Sequence, residues 1–225
     1  MAEMARCGCF RVSYSAAGKM VLGEDADNIR VDAKRNRVVV SYGDCGFAVI
    51  DIASQSKIND IAVHAHPQGF QLDKDSNRIY ANIPKKQAIV VLDYVAGNII
   101  STWQTGNPSN FPLALHPAAN HVVVVFRDPP KLVAFASDGT TVADAETCGD
   151  ADDMFVDARR SRIYVSCGEG FIDVLDTARY QRVARIATIR GARTSLFVPE
   201  IDRLFVAARA TPEQPASIWM FRPDP

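Results

Sequence analysis

The chain has 225 residues, 48% of them hydrophobic and 23% charged, with a formal net charge of −1. That is chain enough for one large all-β domain or two small ones. The charge balance supplies neither a basic field for nucleic acid nor an acidic excess for a basic partner, and no apolar run of about 18 residues is present to cross a bilayer as a helix. The five cysteines, Cys7, Cys9, Cys45, Cys148 and Cys167, form no C-x-x-C, which argues against structural zinc and against a dense disulfide framework.

Residues 1–18 read as a leader with no apolar segment of signal-peptide type. Residues 1–9 fit no element and are expected to be disordered. Phe10–Tyr14 and Lys19–Leu22 read as the third and fourth strands of a preceding unit. From residue 27 onward one unit recurs. Its marker is an acidic residue, a four-residue turn, a basic residue and an apolar strand: DAKRNRVVV from Asp32, DKDSNRIYA from Asp73, HPAANHVVV from His116, DARRSRIYV from Asp157 and, degenerate, PEIDRLFVA from Pro199. The basic anchors Arg37, Arg78, His121, Arg162 and Arg203 are spaced by 41, 43, 41 and 41 residues.

Each anchor has the same flanks. A short apolar strand precedes it (Ile29–Val31, Phe70–Leu72, Leu113–Leu115, Met154–Val156, Leu196–Val198). An apolar third strand follows (FAVID, IVVLD, LVAFA, FIDVLD, SIWMF), and then, in four copies, a more polar one (Lys57–Val63, Asn98–Gln104, Thr141–Glu146, Arg182–Ile189). The short Val-, Ile-, Phe- and Tyr-rich runs with frequent Gly and Pro punctuation exclude long helices. Four strands per unit of about 40–45 residues define an all-β propeller of four-stranded antiparallel blades. The expected blades cover approximately 27–63, 68–104, 112–146, 153–189 and 194–221 within a domain of 19–225. Lys19–Leu22 is expected to supply the fourth strand of the last blade and close a five-bladed ring. The alternative is an open arc of a seven-bladed type.

The motifs Arg162–Asp176 (RIYVSCGEGFIDVLD) and Arg78–Asn82 with Ile89–Asp93 (RIYAN … IVVLD) resemble the YVTN-type repeat of YncE-like bacterial propellers over about residues 19–221. The resemblance implies a binding scaffold, seven blades and a periplasmic or extracytoplasmic location. Five blades without an export signal then imply an N-terminally truncated member.

In such a fold the loop before each innermost strand opens at one channel mouth. Ten residues before the anchors stand Asp27, Gln68, Phe111, Asp152 and Arg193. Nine before stand Asn28, Gly69, Pro112, Asp153 and Thr194, and twelve before stand Asp25, His66, Ser109, Asp150 and Gly191. Asp25, Asp27, Asn28, His66, Gln68, Asn110, Asp152, Asp153 and Arg193 are therefore the candidate ligand-binding residues, with no catalytic residue among them. The near-duplicate loops Gly23–Asn28 and Gly149–Asp153 are expected to cap turns. Ca²⁺ is the alternative there, although they lack alternating D-x-D-x-D ligand spacing.

The remaining polar features have structural readings. His64 and His66 form an i, i+2 pair that can share a metal if they lie on a strand. His116 is read as exposed, and Trp103 and Trp219 as packing between blades. The pairs Asp32/Arg37, Asp73/Arg78 and Asp157/Arg162 are read as turn braces, and Arg159–Arg160 as a solvated turn. Cys148 and Cys167 sit at positions that a hairpin brings together, so a disulfide or two thiols are both open. No G-x-S-x-G, P-loop, G-x-G-x-x-G or H-E-x-x-H is present. The leading expectation is a monomeric, non-enzymatic scaffold without cofactor, binding a protein or small molecule at the channel mouth. The rivals are a lactonase- or amine-dehydrogenase-like propeller enzyme and an inactive partial gene product.

Overall fold

The computed structural model describes residues 19–43, 46–212 and 214–224. The expected strand Phe10–Tyr14 and the thiols Cys7, Cys9 and Cys45 lie outside the described residues. Among the described residues nineteen strands form five antiparallel sheets, each built from strands consecutive in sequence. Blade 1 is β1 (Ala26–Asp32), β2 (Arg37–Tyr42), β3 (Gly46–Asp51) and β4 (Ser56–Ala62). Blade 2 is β5 (Phe70–Leu72), β6 (Arg78–Ile83), β7 (Ala88–Asp93) and β8 (Asn98–Gln104). Blade 3 is β9 (Asn110–His116), β10 (His121–Arg127), β11 (Pro130–Phe135) and β12 (Thr141–Glu146). Blade 4 is β13 (Ala151–Asp157), β14 (Arg162–Cys167), β15 (Phe171–Asp176) and β16 (Arg182–Ala187). Blade 5 is β17 (Ser195–Val198), β18 (Arg203–Ala208) and β19 (Ser217–Phe221). The blades are arranged as a β-propeller.

The repeat anchors open the second strand of every blade because the turn before them is chemically fixed. The residue just before the anchor takes positive φ in four blades: Asn36 (55°), Asn120 (54°), Ser161 (53°) and Asp202 (56°). In blades 3 and 5 a proline opens a 3₁₀ turn at Pro117–Ala119 or Pro199–Ile201, where its fixed φ suits the first position. The Asp that recurs in blades 1, 2 and 4 does not pair with the anchor Arg as the sequence suggested; Asp73, for one, accepts Asp75 N (3.0 Å) and Ser76 Oγ (2.6 Å). Asp32 accepts the Arg35 backbone N–H (3.1 Å) and the Arg35 guanidinium (2.9 Å), and Tyr94 Oη donates to it from blade 2. Asp157 accepts from Arg159 N, Arg160 N and Tyr164 Oη. Each carboxylate folds over its own turn, out of reach of the facing anchor. Arg160 is likewise more than a solvated turn. It bridges Asp157 (3.0 Å) to Asp202 (2.7 Å) and so fastens blade 4 to blade 5.

Four apolar clusters join neighbouring blades. Phe47, Val49 and Ile61 of blade 1 meet Phe70, Ile79 and Leu92 of blade 2. Ile89 and Trp103 of blade 2 meet Val124 and Phe135 of blade 3. Val123 and Leu132 of blade 3 meet Met154, Ile163 and Tyr180 of blade 4, and Tyr164 and Ile172 of blade 4 meet Phe197 and Val206 of blade 5. Trp103 packs between Tyr80 and Phe135, with centroids 5.7 and 6.3 Å away. His116 is not simply solvated. His116 and His121 both approach Tyr180 Oη, at 3.0 and 2.7 Å, across the blade 3–4 seam.

Among the described residues no such cluster joins blade 5 to blade 1. Lys19–Leu22 is not a strand and adds nothing to blade 5, whose edge is β19. Ile218 is 66% exposed and Met220 63%, whereas Phe47, Ile89, Leu132 and Ile172, which hold the register position of Ile218, are wholly buried. On the other side of the gap Ile29 is 59% exposed, while its counterparts Phe70, Leu113 and Met154 are buried. The expected closure by strand exchange is therefore corrected. Among the described residues blade 5 has three strands, and residues 19–22 form no strand that pairs with β19.

Cys148, just before β13, and Cys167, ending β14, are joined in a disulfide with Cα atoms 5.9 Å apart, inside the blade 3–4 cluster.

Candidate functional site

The innermost strands β1, β5, β9, β13 and β17 converge on the axis. Three of them extend further toward the mouth than their apolar cores suggest, so Asp27, Asn28, Asn110, Asp152 and Asp153 stand on strands and not on loops. β1, β9 and β13 each carry a register shift near this end, between Ala26 and Ile29, between Val124 and Phe126 of the partner strand, and between Ala151 and Asp153. A bulge sets two residues against one and re-aims side chains. It lets adjacent residues, Asp27 with Asn28 and Asp152 with Asp153, reach the same space.

That space is a cavity of about 280 Å³ lined from all five blades. The sequence-derived positions Asp27, Asn28, Gln68, Asp152 and Asp153 line it, together with Gly69, Phe111, Pro112 and Thr194. His66 sits at its rim. Its Nδ1 lies 3.1 Å from the Gly43 carbonyl and 3.5 Å from Asp25 Oδ2, and its Nε2 lies 3.9 Å from Asp27 Oδ2. Arg193 pairs with Asp150 and lies 3.5 Å from Asp152. Asn110 is not brought into the cavity. It is buried, and its Nδ2 donates to Asn82 Oδ1 (3.1 Å) and the Ala88 carbonyl (3.0 Å), tying blade 3 to blade 2.

Two contributors escaped the sequence reading. Arg30 and Gln71 are the polar middle residues of Ile-Arg-Val and Phe-Gln-Leu, and both line the cavity. Arg30 Nε donates to Gln71 Oε1 at 3.2 Å, and Gln71 Nε2 donates to the Leu113 carbonyl at 3.2 Å, linking three blades. Alternation along a strand was the available signal: a polar residue between two apolar ones faces away from the blade core. Arg127, ending β10, was also missed. It donates to Asp152 and, through Nε, to the Ala151 carbonyl (2.6 Å), with its guanidinium 3.6 Å from the Phe111 ring centroid.

The electrostatics separate two kinds of carboxylate. Asp150 and Asp152 are answered by Arg127 and Arg193. Asp153 accepts the Ser195 backbone N–H at 2.7 Å. Burial pushes its carboxyl up to about 6, against the opposing pull of that hydrogen bond and of Arg30. Burial in turn lowers Arg30 from the ordinary guanidinium value. Among the described residues no three His, Cys, Asp or Glu side chains converge as metal donors would, and His64 lies exposed in a turn at φ 52°.

No protein-family model and no curated protein sequence matches the chain. A solved structure that is similar is the Kuenenia stuttgartiensis hydrazine synthase, at a TM-score of 0.68 and 12% identity. The match covers 76% of this chain and 52% of that one, so this chain spans about half the length of that neighbour. At that identity the likeness is one of fold.

Proposed function

We propose that this propeller is a non-enzymatic binding scaffold whose ligand enters the channel mouth and reaches the cavity between the inner strands. One observation carries the reading. Equivalent positions of all five blades converge on one small cavity, where polar and charged side chains from blades 1, 2, 4 and 5 stand beside Phe111 and Pro112 of blade 3. A concave space with a few convergent polar groups on rigid strands is where a ligand is expected. The carboxylates that could serve acid–base work are mostly spent in ion pairs, which favours binding over chemistry. The YVTN-type resemblance supports the same reading. The enzymatic alternative has the fold likeness to hydrazine synthase behind it.

The test is a thermal-shift panel of defined small molecules (amino acids, nucleotides, sugars and dicarboxylates) against the wild type and Asp153→Arg, which fills the cavity with a guanidinium. A compound that raises the wild-type midpoint and leaves the variant unmoved supports the proposal. A panel without any stabilising compound, or with shifts equal in both proteins, overturns it.

A further inference from the structure

We propose that the cavity takes a small zwitterion of the α-amino-acid type, with its ammonium group on Asp153 and its carboxylate on Arg30. This rests on the cavity being the binding site. The two side chains enter from blades 4 and 1 and act on each other electrostatically, yet they form no ion pair, because each is held by its own wall. Arg30 spends Nε on Gln71 and Nη1 on the Ile29 carbonyl (2.9 Å), which leaves Nη2 unengaged. Asp153 spends Oδ2 on Ser195, which leaves Oδ1 unengaged.

Of the other charges facing this space, Asp152 has Arg127 and Arg193. Asp27, which also acts on Arg30, holds the Asn28 amide (2.9 Å) with His66 alongside. An open guanidinium nitrogen of Arg30 and an open carboxylate oxygen of Asp153 thus share the lining of one cavity. Half-buried charges with an open hydrogen-bonding atom are costly, and a solute bearing both signs satisfies both at once. A purely cationic solute leaves Arg30 unanswered and adds repulsion to it, and a purely anionic one does the same to Asp153. The volume, about 280 Å³, lies at the small end of the range of about 300–1,000 Å³ for ligand pockets, which suits a solute the size of a single amino acid. Phe111, Pro112, Leu113 and Met154 offer an apolar wall for an aliphatic side chain.

The experiment is calorimetric titration of the whole chain with L-leucine, with isoamylamine (the same skeleton lacking the carboxylate) and with isocaproate (lacking the amine). Leucine is expected to bind, and each half-analogue to bind at least about tenfold more weakly, since each forfeits one charge-assisted contact. Asp153→Asn and Arg30→Gln are each expected to lose at least about tenfold in leucine affinity, with circular dichroism confirming that both remain folded. Absence of binding by leucine and by every other α-amino acid at millimolar concentration overturns the proposal, as does isoamylamine binding as tightly as leucine. If a different compound of the thermal-shift panel stabilises the wild type and not Asp153→Arg, the zwitterion is refuted while the cavity survives as a binding site. If no compound does so, both readings fall.

Discussion

Asp173 makes a demanding test of how blade 4 is held. It lies mid-β15, at the third-strand position that Ala48, Val90 and Val133 occupy in blades 1 to 3. Its side chain is 0% exposed, yet it is a carboxylate. Oδ1 accepts Arg185 Nε at 2.7 Å, and Oδ2 accepts Arg185 Nη2 at 2.9 Å and the Cys148 backbone N–H at 2.7 Å, with Arg182 Nη1 at 3.5 Å. Arg185 is 35% exposed, so the two partners are not equivalent. Arg185→Ala strands a buried anion with one amide and one distant guanidinium. Breaking a buried pair in that sense costs about 3–5 kcal/mol, and Arg182 brings this case toward the lower end. Asp173→Ala leaves a guanidinium that can turn to water and one orphaned N–H, about 1–3 kcal/mol. Once the carboxylate is gone, Arg185 has little left to do, so the double variant should match Asp173→Ala. Urea unfolding midpoints, with slopes checked for constancy, give the three values. If Asp173→Ala proves as costly as Arg185→Ala, or the two losses simply add, the buried-anion reasoning is wrong.

Asp153 should make the protein less stable as it ionises. With its folded value raised to about 6, against about 3.9 when unfolded, the folded state holds the extra proton between those values. Stability therefore falls as pH rises through that window, and the full loss is present above it. Asp153→Asn is expected to be more stable than wild type at pH 7.5, on the order of 2 kcal/mol, and no more stable near pH 3.5. Parallel pH profiles for the two proteins contradict this. Reducing the Cys148–Cys167 bridge, which spans 19 residues of sequence, should lower stability by about 3 kcal/mol. An unfolding midpoint unmoved by dithiothreitol argues against a bond in the folded protein. Ile172→Ser should cost about 3 kcal/mol or more, and Ile218→Ser, at the same register position, no more than about 0.5 kcal/mol. Equal losses in denaturant melts would mean that something packs over blade 5.

The fold was legible because the repeat is carried by residues with a local mechanism. A left-handed turn residue before the anchor in four of the five blades and an apolar third strand after it recur at a nearly constant spacing. Phe171–Asp176 and Ser217–Phe221 were located to the residue for that reason. The cavity was legible as a set of equivalent positions, since Asp27, Gln68 and Asp152 are one place in three blades and all line it. What stayed hidden depended on orientation. Asn110 differs from Phe111 by a single step along the strand and goes into a seam, whereas Arg30 stands inside a run counted as apolar. Lys19–Leu22 was read as a strand from its composition, yet it forms none, because pairing is decided by where the chain runs.

The surface of blade 5 bears on what the axis can hold. Asp152 and Thr194 belong both to the central cavity and to a groove that runs over blade 5 past Arg193, Ala207, Arg209 and Ile218. The chamber and the groove thus meet at a shared wall. A molecule longer than the chamber, lodged by one end at the axis, would lay its remainder along blade 5.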